Sequence, residues 1–292
     1  MYVVAGVTGQ TGRATAETLL AHGSKVRVIV RDAKQGEAWK SRGAEVAVAS
    51  LGDVAQLAAA LTGVQGAYLL VPPRYDADDV LTAQRALGEA MAQAVRKSGV
   101  PHVVILSSVG AELPEGNGPI AGLHHLERVM GKAAKNLTVL RPGYFFENFA
   151  PVLPATQNGV LPTFLTPGHA LPMNGTRDVG RVAAEALLEP ASGSRLIELA
   201  HARPHTPEDV ARELSAVLGR PLSVQAGPSE AIVPALTGMG LSRGAAELLR
   251  EVIGALNQGR IRHHGPPAIR RFAEMGAGDA LRPLLAAAPS HA

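Results

Sequence analysis

Three glycines near the start of the chain are spaced three residues apart, Gly6-Val7-Thr8-Gly9-Gln10-Thr11-Gly12, directly behind the apolar run Val3-Val4-Ala5. A strand that turns on glycine into a helix leaves the first helical N–H groups without partners, and the helix dipole makes that end attractive to an anion. At this spacing Gly6 permits the tight turn, Gly9 lets the backbone approach a diphosphate, and Gly12 lets the helix pack close to the strand. Thr8, Gln10 and Thr11 lie inside the same turn and join the glycines as candidate nucleotide-binding residues. A helical stretch to His22 and a second apolar strand, Lys25-Val26-Arg27-Val28-Ile29-Val30, complete a βαβ unit of the dinucleotide-binding kind. The competing reading is a plain strand–helix turn that binds nothing.

The end of the second strand decides which dinucleotide fits. An acid there would take both ribose hydroxyls of NAD. The chain instead reads Val30-Arg31-Asp32. The guanidinium of Arg31 suits a 2′-phosphate through planar, charge-assisted hydrogen bonds, so NADP(H) is favoured over NAD(H). Asp32 would approach the ribose if the strand ended one residue later, and Arg31 would then be a solvated surface charge.

These residues need a scaffold, and the pattern supplies one. Glu45–Ala49 reads as a third strand, and Asp53 reads as the cap of an Ala/Leu-rich helix ending near Gly63. Gly66–Val71 is a buried strand stopped by Pro72-Pro73. A long helix spans roughly Asp79 to Ser98, and His102–Ser108 and Leu137–Arg141 are further strands. Near-continuous apolar strands separated by helices predict an α/β fold, a Rossmann-type doubly wound parallel sheet. The loops after Val71, Ser108 and Arg141 then line one cleft outside the carboxyl ends of the strands. Residues 143–175 are rich in Pro, Gly and Asn and show little periodicity. A helix from Asp178 to Leu188, a strand Leu196–Leu199, and helices over 207–218, 229–238, 242–257 and beyond Pro267 follow. The predicted organisation is a nucleotide-binding domain over 1–150, with 176–200 packing back on it, and a smaller, mostly helical substrate lobe over 151–292.

With 292 residues, 46% of them hydrophobic and 18% charged, the chain buries a large core and is not disordered. Cysteine is absent, which removes disulfides, thiolate metal sites and a cysteine nucleophile. The net charge of +3 is scattered and aromatics are only 3%, so neither a phosphate-tracking stripe nor stacking platforms for nucleic acid stand out. No apolar run is long enough to span a membrane, and the sequence begins on a strand without a charged leader, so a cytoplasmic protein is expected. The adjacent pairs His124-His125 and His263-His264 would point apart on a helix, and no metal site is expected. The basic stretch Arg260, Arg262, Arg270 and Arg271 with His263-His264 reads as a solvated helix and loop face, with a second phosphate or acidic-substrate contact as the alternative.

The glycine turn, Val30-Arg31-Asp32, Ser107-Ser108 and Leu140-Arg141-Pro142-Gly143-Tyr144-Phe145-Phe146-Glu147-Asn148 together resemble the NmrA-like family of atypical short-chain dehydrogenases/reductases. The resemblance covers roughly residues 1–190 and closes on Asp178-Val179-Gly180. It implies a Rossmann domain with a smaller C-terminal substrate lobe and NADP(H) binding. Family members include NADPH:quinone reductases, isoflavone-type reductases and regulators that bind the cofactor without turning it over. Two departures stand out. The acid usual after the third strand falls at Ser50, leaving adenine recognition to Ser50, Leu51 or Asp53. The helix Gly122-Leu123-His124-His125-Leu126-Glu127 keeps the family's Glu but has no Lys before it, and His124 or His125 stands in.

Typical short-chain reductases protonate the substrate oxygen with a Tyr placed four residues before a Lys. Here Tyr2, Tyr68, Tyr75 and Tyr144 are followed at that spacing by Gly6, Pro72, Asp79 and Asn148. An isolated ketone becomes a localised alkoxide and needs a positioned acid, whereas a quinone spreads the charge and needs less help. The missing dyad therefore favours a small quinone-like acceptor, disfavours an epimerase, and is equally compatible with a non-catalytic NADP(H)-sensing regulator that binds a protein partner. His124 and Tyr144 are the catalytic candidates, each with plain packing or a solvent-facing role as the alternative. Val71, Pro72, Ser107 and Pro142 are the remaining cofactor-lining candidates, and a homodimer is an open possibility. Phe145, Phe146 and Phe149 read as core joining the two lobes.

Overall fold

The computed structural model describes residues 1–263 and 268–287. Strands β1 (Tyr2–Val4), β2 (Val26–Val30), β3 (Glu45–Val48), β4 (Gly66–Leu69), β5 (Val103–Leu106) and β6 (Leu137–Pro142) alternate with helices α1 (Gln10–Ala21), α2 (Glu37–Lys40), α3 (Val54–Leu61), α4 (Val80–Ser98) and α5 (Ile120–Ala133). The second half carries β7 (Tyr144–Phe145), a 3-10 stretch over Phe146–Asn158, β8 (Val160–Thr163), β9 (Met173–Asn174), α6 (Thr176–Leu188), β10 (Ser194–His201) and α7 (Pro207–Leu218). It ends with β11 (Ser223–Ala226), α8 (Ile232–Gly238), α9 (Arg243–Asn257), β12 (Ile269–Ala273) and α10 (Ala277–Ala287).

Eight strands form one sheet in the order β12-β10-β6-β5-β4-β1-β2-β3, and every pairing in it is parallel. Parallel strands are covered on both faces, which is why Val3, Val4, Tyr68 and Val103 to Ile105 are all buried. One face carries α1 and α6 over Val28, Tyr68 and Val104. The other carries α3, α4 and α5 over Val3, Ile29 and Ile105. The chain starts at β1, runs outward to β3 and returns to β4 on the other side of β1. That reversal opens a crevice above the ends of β1 and β4, the place where this class of sheet takes ligands. A third core, built on Phe146, Phe149, Leu161, Val210, Leu214 and Leu281, supports the remainder of the second half. Phe145 packs against the sheet's first core instead.

Two segments depart from the sequence-based expectation. Beyond Pro267 the chain forms the edge strand β12 before any helix, pairing Ile197 with Ile269 and His201 with Ala273. Its five residues include a β-branched and an aromatic side chain, which suit a half-exposed pleat beside the open edge of β10 better than one turn of helix. The aperiodic stretch 143–175 is not loop throughout, since β8 pairs with β11 and β7 with β9. The basic stretch is divided: Arg271 reaches Glu189 at 2.7 Å, Arg260 donates to the Gly116 carbonyl, and His263 contacts Glu198. His264 lies outside the described residues. Among the described residues no helix is long and apolar enough to cross a membrane.

Candidate functional site

The glycine turn distinguishes three different demands. Gly6 has φ +70°, in the left-handed region. A Cβ on Gly12 would lie 2.4 Å from both the Ala5 and Gly6 carbonyl oxygens, so no other residue fits between β1 and α1. Gly9 is otherwise. Its φ is −96°, and a Cβ there would meet only the Gly6 oxygen, at 3.4 Å. The fold itself tolerates a side chain at position 9, so glycine there leaves room for an approach from outside.

What would approach is set by the helix start. α1 has neither a side-chain cap nor an acid in its first turn. The Gly9 N–H donates to Gly6 O at 2.9 Å, while those of Gln10, Thr11 and Gly12 find no acceptor among the described residues. Side chains close such ends at other helices: Asp53 accepts from Ala55 and Gln56 at α3, Asp79 from Thr82 at α4, and Ser242 from Ala245 at α9. Thr8 and Gln10 are exposed at the open end. The Thr11 side chain turns inward, where its oxygen accepts from Tyr68 Oη at 3.1 Å, so only its N–H is offered to a ligand. Burial pushes the Tyr68 hydroxyl far up, keeping it a donor.

Beside this loop, β2 delivers Arg31 one residue past its end, exposed and without an ion pair among the described residues. The Asp32 carboxylate bends back to accept from Lys34 N at 2.9 Å, capping its own 3-10 turn, so Arg31 is the freer of the two charges. At the end of β3 the Asp53 carboxylate is taken by two helix N–H groups. The Ser50 hydroxyl remains exposed, accepting only from Gly52 N at 3.3 Å. Val71 and Pro72 are half-buried past the end of β4.

The far end of the crevice is held by an ionic network, centred on a buried arginine with half-buried carboxylates, that sequence reasoning assigned no role. Arg141, at the end of β6, forks onto Glu127 of α5 at 2.6 and 2.8 Å and reaches Glu112 at 3.1 Å. Glu127 in turn accepts from Ser107 Oγ at 2.5 Å. The Ser107 hydroxyl is therefore committed to Glu127, and Ser107 is buried. The signal available in the sequence was one arginine inside an apolar strand, because a buried cation requires carboxylate partners. Pro142 follows, also buried.

His124 and His125 diverge as neighbours on a helix must. His125 Nε2 faces Glu89 on α4 at 3.1 Å. His124 Nδ1 lies 2.8 Å from the Ala111 carbonyl. A carbonyl only accepts, so Nδ1 carries the hydrogen and Nε2 is the nitrogen left for a ligand. Tyr144 stands edge-on to Phe149 with ring centroids 6.1 Å apart. Burial pushes its phenol up to about 12, against the pull of a hydrogen bond with Asn148 and with a small further push from Tyr75. Tyr75 belongs to the loop after β4, which the second half pins down. Ser242 N donates to the Tyr75 carbonyl at 2.9 Å and Ser242 Oγ to the Ala77 carbonyl at 2.7 Å.

The model of the NmrA-like family matches residues 2–258. An NAD(P)H azoreductase of Xenophilus azovorans is 26% identical over 254 residues, covering 86% of each chain. Quinone oxidoreductase 2 of Escherichia coli is 28% identical over 258 residues, again 86% of each. Among solved structures, an NADPH-dependent quinone oxidoreductase of E. coli complexed with NADPH superposes with a TM-score of 0.77 at 23% identity, over 98% of this chain and 95% of that one. A Citrobacter sp. triphenylmethane reductase complexed with NADP(H) gives 0.77 at 22% identity, over 91% and 93%.

Proposed function

The chain belongs to the NmrA-like family, and from that premise we propose that it is an NADPH-dependent oxidoreductase that reduces a small conjugated acceptor, with a quinone as the leading candidate. The observation that carries this reading is the open start of α1, where unpartnered N–H groups meet a glycine that the fold does not require. Such an end accepts a diphosphate without further rearrangement. The relatives named for azo, quinone and triphenylmethane reduction share acceptors whose π systems spread incoming charge.

In this reading Gly6, Gly9 and Gly12 cradle the pyrophosphate with the N–H groups of Gln10 and Thr11, and Arg31 takes the 2′-phosphate. Ser50 borders the adenine end, with Asp53 acting through the helix it caps. Val71, Pro72, Ser107 and Pro142 wall the nicotinamide end, Ser107 through its place beneath the crevice rather than by donating its hydroxyl. The bound cofactor supplies hydride, and the protein supplies orientation and exclusion of water. Tyr144 remains a neutral phenol at working pH and donates a hydrogen bond to an acceptor oxygen without surrendering its proton. His124 offers Nε2, which donates a proton only when the ring carries both hydrogens. Neither group replaces the Tyr–Lys pair of ordinary alcohol dehydrogenation, which fits an acceptor whose reduced form needs little help from an acid.

NADPH oxidation measured against a panel of quinones, azo dyes and simple ketones tests the proposal. The expected result is turnover with quinones or azo compounds and little with isolated ketones. Saturable NADPH binding with no turnover on any acceptor contradicts it and favours the cofactor-sensing regulator.

A further inference from the structure

The starts of α1 and α6 are joined by one side chain. The helices pack so closely that a Cβ on Gly180 would lie 2.3 Å from Ala14 Cβ, which brings their first turns side by side. Thr176, the first residue of α6, donates its N–H to Glu147 Oε1 at 2.8 Å. Its hydroxyl lies 2.7 Å from the same Glu147 oxygen and 3.0 Å from Gln10 Oε1. One hydroxyl hydrogen is thus offered to two acceptors. Gln10 belongs to the glycine turn, and Glu147 follows Tyr144 by three residues on the acceptor side of the crevice. β7 pairs Phe145 with Asn174, which sets the segments that run on to Glu147 and Thr176 side by side.

The clasp is not a solvent-facing accident. Thr176 and Asn174 are buried, and Glu147 Oε2 and Asn174 Oδ1 have no hydrogen-bond partner among the described residues. Burial raises the Glu147 carboxyl, offset in part by the two bonds from Thr176 and reinforced by Asp178. A carboxylate brought into such surroundings is held by whatever donors it has, and here Thr176 supplies two, its N–H and its hydroxyl, beside the N–H of Glu147 itself.

We propose that Thr176 is a positioning residue that clasps the glycine turn to the acceptor-side loop, so that a nucleotide held at Gln10 orders the segment carrying Tyr144. The proposal rests on the nucleotide reading above. With its side chain set against the Thr176 hydroxyl at 3.0 Å, Gln10 is held at the open end of α1, where a phosphate would meet it. A nucleotide that fixes Gln10 thereby restricts Thr176 and, through it, Glu147 and its loop.

Hydrogen exchange followed by mass spectrometry, with and without NADPH, tests this on the wild type, Thr176→Val and Thr176→Ser. NADPH is expected to slow exchange in both the glycine turn and residues 143–149 in the wild type and Thr176→Ser. In Thr176→Val it should protect only the glycine turn, with NADPH affinity within about threefold of wild type and kcat lower by about tenfold. Should Thr176→Val lose its fold, Gln10→Ala cuts the clasp from the exposed side and should likewise lose protection of 143–149 while the turn stays protected. Undiminished protection of 143–149 in the cut variants overturns the clasp alone. A wild type that shows no protection anywhere overturns the nucleotide reading together with the clasp.

Discussion

α1 and α6 start next to each other and solve the same problem in opposite ways. Neither has a cap from its own sequence. At α6 the chain fetches a carboxylate, Glu147, from 29 residues away to accept from Thr176. At α1 it fetches nothing, and leaves a glycine where a side chain would fit. Closing a helix start with a carboxylate is worth about 1 kcal/mol in stability. Leaving α1 open forgoes that gain and keeps the dipole and the free N–H groups for an incoming anion. The contrast teaches that the proposed binding end is defined as much by what the chain withholds as by what it supplies.

Making α1 resemble α6 should have the largest effect. Gly9→Asp puts a carboxylate at the open end, and we expect NADPH affinity to fall by about 1000-fold, roughly 4 kcal/mol, with an unchanged or higher melting temperature. Fluorescence titration and thermal unfolding check both halves; a collapse of the fold would mean that Gly9 is structural after all. Arg31→Ala leaves the open end intact and removes the adjoining charge. It should weaken NADPH by about 10- to 100-fold and NADH by less than about threefold. Equal losses for the two cofactors would make Arg31 a surface charge.

Making α6 resemble α1 is the converse. Glu147→Ala strips Thr176 N of its acceptor and should lower the unfolding free energy by about 1–2 kcal/mol in denaturant titration. α7 gives the smallest effect and a control remote from the crevice. Its capping box joins Thr206 and Asp209. Burial works against the Asp209 charge, but the Thr206 N–H and the Arg212 and Arg203 guanidiniums outweigh it and hold the carboxyl at about 2. A pKa lowered by folding adds stability above the unfolded value near 4, and that contribution fades as pH falls toward 2. Partial solvent screening limits it to about 1 kcal/mol. Asp209→Asn should flatten that part of the stability–pH curve without changing NADPH affinity.

The parts of this comparison that were legible in the sequence are those whose signals are local. The glycine turn and Arg31 fall within the first 31 residues, and the caps Asp53 and Thr206 stand directly before the helices they close. The alternation of apolar runs and helices was enough for the sheet. What lay hidden depends on residues brought together by folding. Glu147 meets Thr176, Arg141 meets Glu127 and Glu112, and Ser107 turns its hydroxyl away onto Glu127. The tautomer of His124 likewise follows from a carbonyl 13 residues earlier. β12 was missed because five residues contain no period long enough to separate strand from helix.

The central claim is that the α1 N–H groups receive the cofactor's diphosphate. Amide NMR spectra of 15N-labelled protein, recorded through an NADPH titration, address it most directly. The account predicts saturable downfield shifts at Gln10, Thr11 and Gly12, while Ala55 and Gln56, already held by Asp53, stay in place. Unmoved resonances at those three positions under excess NADPH would contradict it.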